Sequence, residues 1–411
     1  MSPTTESALD VLRTAQLTAG LPALGEVVFE LALGESTRLR VAVDGDDVRV
    51  RAADADEPSP VFTFAVGEED WARFAAEPPP RGYTSAQAIR ATLGWGAVRG
   101  DTGRWAQYAP LVDRVLEALR RAENARPPRN PDPTPPSGPS AVRGRYLDLG
   151  GQRVYCEEGG EGPVPVLCLH TAGADSRQFR HLLEDAELGA RFRFIAFDLP
   201  WHGRSDPPTD WQERTYRLTT TDYAEVIRAV SGALGLERPV LLGCSMGGAI
   251  VLYMAAVHGE EFRACLSLEG GLGNPSRFVE WTNHLEVDHS HFLTSWVGGL
   301  VAPSSPAAAR AQTLWGYAQS GPGVYQGDTY FYSEDFPAIA AGLGRATCPL
   351  WVFNGEYDYS ATSAMSREAA DALGGTYVDM PGCGHFPMSE DPVRFRDYLL
   401  PVLEQVEEAG S

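Results

Sequence analysis

Val240-Leu241-Leu242-Gly243-Cys244-Ser245-Met246-Gly247-Gly248-Ala249-Ile250 runs from an apolar segment of strand character straight into a Gly-x-Ser-x-Gly pentad. Helix-forming residues follow at once, through Val251, Leu252, Tyr253, Met254, Ala255 and Ala256. The expected structure is a strand, a sharp turn and a helix, with Ser245 at the apex. Gly243 and Gly247 fit such a turn, because side chains two residues either side of the serine would collide with each other or with the neighbouring strand. The serine is thereby pushed out of the sheet to where a base can reach it. A Gly-rich chain also produces this pentad by chance as a plain turn. The reading therefore depends on the strand before it, the helix after it, and an acid and a histidine later in the chain.

Outward from this stretch, strands and helices alternate. Residues 145–149 and 152–157 flank Gly150-Gly151 as a hairpin, and 164–170 form the next strand. From Val166 to Leu169 this strand is continuously apolar, as expected when helices cover both faces. Pro165 donates no ladder hydrogen bond and fits only near the strand's start. Further strands are expected at 192–198, 240–243, 262–268, 350–353 and 375–379, with helices near 176–188, 219–234, 247–258, 363–372 and 392–405. This order predicts an α/β fold with a mostly parallel, doubly wound sheet.

In such sheets ligands meet the carboxyl ends of the strands, so the polar residues there can be read together. Ser245 follows one strand. Asp358 lies beyond the strand at 350–353, in Asn354-Gly355-Glu356-Tyr357-Asp358-Tyr359-Ser360, and His385 lies beyond the last, in Pro381-Gly382-Cys383-Gly384-His385-Phe386-Pro387. A serine hydroxyl is a poor nucleophile at neutral pH, so a base must take its proton and return it to the leaving group. His385 suits that role by its place after the final strand, although a histidine in a Gly-rich turn can also merely cap a loop. Asp358 would hold the imidazole in one tautomer and stabilise the imidazolium as it forms. Its rivals are Glu356, two residues earlier, and Glu269, after the strand at 262–268.

The order Ser, Asp, His is that of the α/β-hydrolase triad, and residues 143–405 resemble that superfamily. Leu169-His170-Thr171-Ala172-Gly173 and Asp198-Leu199-Pro200-Trp201-His202-Gly203-Arg204-Ser205-Asp206 add to the likeness. The resemblance implies a catalytic triad of Ser245, Asp358 and His385, with oxyanion donors at the backbone N–H of Met246 and of Ala172 or Thr171. Family members usually carry His-Gly where this chain has His170-Thr171, which leaves open whether the Thr171 hydroxyl adds a bond of its own. The implied activity needs no cofactor: cleavage of an ester, lactone or thioester of an apolar small molecule through an acyl-enzyme. Carbon-carbon bond hydrolysis in a diketone and cofactor-free perhydrolysis can use the same residues.

Residues 271–345 interrupt the alternation and are rich in large aromatics, among them Phe278, Trp281, Phe292, Trp296, Trp315, Tyr317, Tyr325, Tyr330, Phe331 and Tyr332. The superfamily often carries a helical cap between sheet strands, and an aromatic cap would roof an apolar pocket. The same rings could equally form the insertion's own small core. His170, Trp201, His202, Trp281, Trp296 and Tyr359 are the candidate pocket residues, Pro-x-His-Gly at 200–203 being equally well explained as a structural turn. His284, His289 and His291 lack the spacing of a metal site, and no metal is expected.

Before this domain, residues 123–142 hold prolines at a density that sustains neither helix nor sheet, which marks a linker. Residues 1–122 read as a smaller α+β domain. It has a helix over 7–17, three alternating runs at 27–31, 39–43 and 48–50, a strand at 61–66, a helix carrying Trp71 and Phe74, a helix near 84–93, a strand at 97–101, and an amphipathic helix ending near Arg121. That order, with Gly-x-x-x-Gly-Asp at 96–101, is similar to the sterol carrier protein type 2 family, whose members bury a lipid-sized cavity beneath a sheet. It implies a lipid carrier as the reading of another class; a scaffold or homodimer role for this domain is the alternative.

Composition narrows the partners. A formal net charge of −21 argues against nucleic acid and anionic membranes, which both need a basic footprint. All 34 basic residues are arginine, which excludes a Schiff-base or P-loop lysine. No apolar run reaches the ~18 residues of a membrane span, and the first residues lack a basic and an apolar region of a signal peptide. A cytoplasmic protein is expected. The six cysteines form no Cys-x-x-Cys pair and sit mostly in apolar runs, so they are expected to be reduced core residues.

Overall fold

From residue 143 onward the apolar runs build an eight-stranded sheet in the computed structural model, which describes residues 4–18, 21, 24–54, 56–123 and 141–408. Of the Pro-rich stretch, residues 124–140 lie outside the described residues. Contacts gather the described residues up to Glu123, together with His284–Ser304, into one unit, and 141–283 with 305–408 into another.

The first unit is a five-stranded mixed sheet in the order β3-β2-β1-β4-β5, with β1 Leu24–Leu33, β2 Thr37–Gly45, β3 Asp47–Ala52, β4 Phe62–Val66 and β5 Val98–Gly100. Alternation sets its inner face: Val27, Phe29, Leu31 and Leu33 on β1 and Phe62, Phe64 and Val66 on β4 are all buried. Its helices are α1 Thr5–Leu12, α2 Glu68–Ala75, α3 Ala86–Leu93 and α4 Thr102–Glu123. Helix α1 stops short of the expected residue 17, and the Thr14 hydroxyl bonds back to Val11 O at 3.1 Å in the turn that follows. Trp71 and Phe74 of α2 and Trp105 and Tyr108 of α4 are buried. The helix His289–Gly298 also belongs here. Its Ser295 hydroxyl bonds to Asp113 of α4, and Arg90 of α3 lies over the Trp296 ring at 5.1 Å.

The second unit has the α/β architecture expected. Its strands are β6 Arg143–Asp148, β7 Arg153–Gly159, β8 Val164–Leu169, β9 Phe192–Phe197, β10 Val240–Cys244, β11 Ala264–Leu268, β12 Leu350–Gly355 and β13 Thr376–Met380, in the order β13-β12-β11-β10-β8-β9-β7-β6. All pairs are parallel except β6 with β7 and β7 with β9. Every residue of β10 and β11 is buried, as expected of strands covered on both faces, and the one polar side chain among them, Ser267, donates its hydroxyl to Gly248 O at 2.9 Å. Helices α5 Arg180–Glu184, α6 Ala186–Arg191, α7 Thr220–Ala233 and α8 Met246–Val257 follow, α9 being the His289–Gly298 helix of the first unit. Then come α10 Ala307–Ala318, α11 Val324–Tyr330, α12 Phe336–Ala340, α13 Ser363–Leu373, α14 Pro387–Glu390 and α15 Pro392–Glu408. Helix α15 shows why such segments dock: Phe395, Leu399, Val402, Leu403 and Val406 recur on one face, and all are buried. Burying each contributes roughly 1.5–3 kcal/mol.

Strand β8 lies between β9 and β10, so the chain runs outward from it in both directions. That is the topological switch point, where the loops after β8 and β10 part and leave a crevice. Between β11 and β12 the second unit carries short turns at Pro275–Arg277 and Glu280–Asn283, helices α10 and α11, a π-helical turn at Phe331–Asp335, and α12. Among the described residues no helix is long and apolar enough to cross a membrane.

Candidate active site

The register of three central strands decides what surrounds Ser245. Gly243 pairs with Leu169 on one side and with Ser267 on the other, so the residues just beyond β10 face those just beyond β8 and β11. Ser245 itself adopts φ 56° and ψ −112°, a conformation that non-glycine residues rarely hold. Its N–H donates to Leu268 O at 2.8 Å, and its carbonyl receives Ala249 N at 2.8 Å as α8 begins. The glycines are required by approach distances. A Cβ on Gly243 would lie 2.2 Å from Gly247 O, and one on Gly247 would lie 2.5 Å from Leu169 O. The turn can close only where those side chains are missing, which leaves Ser245 standing above the sheet.

Asp358 and His385 come from the loops after the neighbouring strands β12 and β13. Asp358 is fully buried, and its Oδ1 accepts the N–H of Ser360 at 2.6 Å and of Ala361 at 3.1 Å. Its Oδ2 accepts Nδ1–H of His385 at 2.6 Å. With Nδ1 protonated, Nε2 is the nitrogen left with a lone pair. The His385 loop is braced from both sides: the Glu390 carboxylate receives the N–H of Gly384 and of Phe386, and Cys244 Sγ bonds to His385 O at 3.2 Å. Glu356, one rival acid, is exposed and receives Gly382 N instead. Glu269, the other, is buried near both groups: one ligand-type atom from each of Glu269, Asp358 and His385 lies within 4.8 Å of the others. Ser245, His385 and Glu269 line one narrow cleft of about 30 Å³ with Asn274, Tyr332 and Met365.

The loop after β8 is tied down residue by residue. His170 Nε2 accepts Leu199 N–H at 3.1 Å, so the proton sits on Nδ1, which donates to Thr171 O at 2.9 Å. Burial, and after it the charge of His202, lower its pKa and keep it neutral. Thr171 N–H donates to Gln178 Oε1 at 3.0 Å, while its hydroxyl bonds to Gln178 and to Tyr317 of α10. Gly173 N–H donates to Asp328 Oδ2 of α11 at 2.7 Å. Between them, Ala172 N–H has no hydrogen-bond partner among the described residues, and neither has Met246 N–H at the start of α8. Of the two donors considered in this loop, then, Thr171 is engaged elsewhere and Ala172 is open.

The sequence model of one family, described as the alpha/beta hydrolase fold, matches residues 164–307. The second unit has the α/β-hydrolase fold. A 2-hydroxy-6-oxononadienedioate/2-hydroxy-6-oxononatrienedioate hydrolase of Paraburkholderia phymatum is 31% identical over 145 residues, 34% of this chain and 49% of the relative. The chain thus spans about half the length of that relative, and less of several others. An uncharacterised protein of Mycobacterium tuberculosis is 25% identical over 70% of this chain and 87% of its own. In fold, the enol-lactonase of Burkholderia xenovorans LB400 superposes with a TM-score of 0.55 at 20% identity, over 63% of this chain and all of its own.

Among the described residues, none of the six pocket candidates lines the cleft of Ser245 and His385. His170 is enclosed by its own loop. His202 is buried with Nδ1 2.9 Å from Pro200 O and Nε2 2.8 Å from Asp328 Oδ2, so both nitrogens carry protons. Burial opposes that charge, but the Asp328 carboxylate, with Pro200 O and Asp198 acting in the same sense, outweighs it and raises the pKa. Trp201 stacks on Tyr216 at 5.2 Å, and Trp281 is half-buried in the turn Glu280–Asn283. Tyr359 acts on the buried Arg277. Trp296 packs inside the first unit with Phe292. Aromatic richness says that rings will be buried but not which of them faces a given space. The residues missed were Asn274 and Met365; Tyr332 stood among the insertion's aromatics, but the π-helical turn that carries it has no signature in the sequence.

Proposed function

We propose that the hydrolase unit is a cofactor-independent serine hydrolase that cleaves an ester, lactone or thioester of an apolar small molecule. The observation that carries this reading is the 2.6 Å bond from His385 Nδ1 to Asp358 Oδ2, beside the cleft that Ser245 and His385 share. His385 Nε2 takes the Ser245 proton as Oγ attacks the substrate carbonyl, and the resulting oxyanion is received by Met246 N–H and Ala172 N–H. Each such donor is worth about 3 kcal/mol in the transition state. Collapse of the tetrahedral intermediate expels the alcohol or thiol with the proton from His385, leaving an acyl-serine. A water, deprotonated by the same imidazole, then releases the acid. Asp358 stays ionised throughout and supports the imidazolium. A cleft of about 30 Å³ admits little, so Tyr332 and Met365 must give way as substrate enters.

A second reading is hydrolysis of a carbon-carbon bond in a diketone, favoured by the 31% identity to a 2-hydroxy-6-oxononadienedioate hydrolase. Comparing turnover of aryl esters with that of vinylogous diketones separates the two. For either, a fluorophosphonate probe is expected to label the wild type and not Ser245→Ala, and Ser245→Ala is expected to lose about 10⁴-fold or more in kcat. Full activity in that variant would remove the proposal.

A further inference from the structure

Behind His385 the site holds one carboxyl more than a serine triad uses. Glu269 opens the loop after β11 at φ 52°, and it is 1% exposed. Its backbone N–H donates to Phe353 O at 2.9 Å. Gly355 N–H reaches its Oε1 at 2.9 Å and its Oε2 at 3.0 Å, and Asn354 Nδ2 donates to Oε2 at 2.9 Å. Asn354 is itself fixed by donating to Ala361 O at 2.7 Å. Donors from the end of β12 therefore aim this carboxyl, and it meets Asp358 and His385 within 4.8 Å.

We infer that Glu269 is a neutral carboxylic acid whose proton is shared with Asp358, a positioning residue that sets how strongly Asp358 holds a proton on His385. Its consequence for turnover rests on the serine-hydrolase reading; its protonation does not.

Two carboxylates this close and this buried do not both ionise, so one of them keeps its proton. Asp358 is the better anion, since Ser360 N–H, Ala361 N–H and His385 Nδ1–H all point at it. Burial, and next the charge of Asp358, push the Glu269 carboxyl well above its ordinary range; the Gly355 N–H opposes them without cancelling them, and a hydrogen bond to Asp358 adds to the rise. The other titratable groups facing it are Glu390, whose charge also opposes ionisation, and the Cys244 and Cys383 thiols, which burial itself pushes up and keeps neutral. A neutral donor draws charge off Asp358, so the imidazolium is held less tightly and His385 frees its base nitrogen at lower pH. Removing the donor, or ionising Glu269 at alkaline pH, loads more negative charge against His385 and does the reverse.

Infrared difference spectra of wild type and Glu269→Gln at pH 7 test the protonation without needing turnover. A protonated carboxyl stretch present in the wild type and lost in Glu269→Gln is expected; no lost band overturns the inference. The linkage to His385 is read from the acid limb of kcat/KM. Glu269→Gln keeps a neutral donor and is expected to leave that limb in place, whereas Glu269→Leu is expected to raise it by about one pH unit. Superimposed profiles for all three, or a Glu269→Gln profile shifted like that of Glu269→Leu, overturn the positioning role. If Glu269→Leu does not fold, the infrared result and the unshifted Glu269→Gln limb decide. If no variant or wild type turns over any ester or diketone, the serine-hydrolase reading fails while the infrared test of Glu269 stands.

Discussion

Gly173 N–H donates to Asp328 Oδ2 across 2.7 Å, one residue beyond Ala172. The same carboxylate receives His202 Nε2 at 2.8 Å and the Tyr216 hydroxyl at 2.8 Å, and it is fully buried. Asp328 belongs to α11, in the insertion between β11 and β12, so the insertion holds the loop after β8 in its present shape. Asp328→Ala is expected to cost about 3–5 kcal/mol of stability, because it leaves the buried His202 charge unpaired. At temperatures where the variant stays folded, kcat should fall by more than KM rises, since the loop carrying Ala172 N–H loses its anchor. Urea denaturation and steady-state kinetics check the two parts.

The His202–Asp328 pair also sets a pH dependence. The His202 pKa is raised in the folded chain, so its stabilisation is complete below the unfolded value of about 6.5 and is lost as pH rises through the folded value. Unfolding free energies measured from pH 6 to 9 should therefore fall more steeply for the wild type than for His202→Gln, which has no proton to lose. Equal slopes would show that His202 holds its proton no more tightly folded than unfolded, and a wild-type stability that rises with pH relative to the variant would show it neutral in the folded state.

How far the sequence spoke follows from what each residue's neighbours are. Asp358 and His385 each stand just past a strand, and β12 and β13 pair side by side, so their meeting is a consequence of chain order that periodicity can reveal. Ser245 was legible for a related reason, because two glycines with no room for a Cβ are written into the sequence. Glu269 was visible only as a rival acid. Its real surroundings, Asn354 and Gly355, come from the register between β11 and β12, which no local pattern states. The bond from Asp328 to Gly173 joins residues 155 apart in the chain, and the pocket candidates stand outside the described lining of the Ser245 cleft because burial of an aromatic ring does not specify a direction.

Asp358→Asn should be far worse than its small change in shape implies. The Oδ1 position faces two backbone N–H groups, Ser360 and Ala361, so the amide oxygen must occupy it. The amide NH₂ is then forced toward His385 Nδ1, which has to become an acceptor, and the ring proton moves to Nε2. In that tautomer the imidazole cannot take the Ser245 proton. A fall of about 10⁴-fold in kcat is expected, with the melting temperature little changed, as measured by kinetics alongside thermal denaturation.

Thr171→Val separates two uses of the loop after β8. The Thr171 hydroxyl bonds to Gln178 and Tyr317 and its N–H to Gln178, so neither is free for an oxyanion. Losing the hydroxyl should cost about 1 kcal/mol of stability and less than tenfold in kcat. A loss of a hundredfold or more, the size expected of an oxyanion donor, would show that the hydroxyl turns to the substrate during reaction.

Truncation at the Pro-rich stretch has an outcome that follows from where residues 284–304 belong. They lie between β11 and β12 in sequence, yet they pack in the first unit, where Phe292, Leu293, Trp296 and Val297 are buried, Ser295 bonds to Asp113 and Thr84 bonds to Gly299 O. A fragment of residues 143–411 would keep this segment and lose what buries it. Each of the four side chains then forfeits roughly 1.5–3 kcal/mol of burial and is left as exposed apolar surface. That fragment is expected to aggregate at concentrations where the full chain stays dispersed. Replacing 284–304 in it by a short Gly/Ser connection should restore a dispersed protein, because the bonds around Ser245, Asp358, His385 and Ala172 involve no residue of the segment. Size-exclusion chromatography of both fragments, with fluorophosphonate labelling of Ser245, decides it: a dispersed, fully labelled 143–411 fragment would show that the segment folds without the rest of its unit.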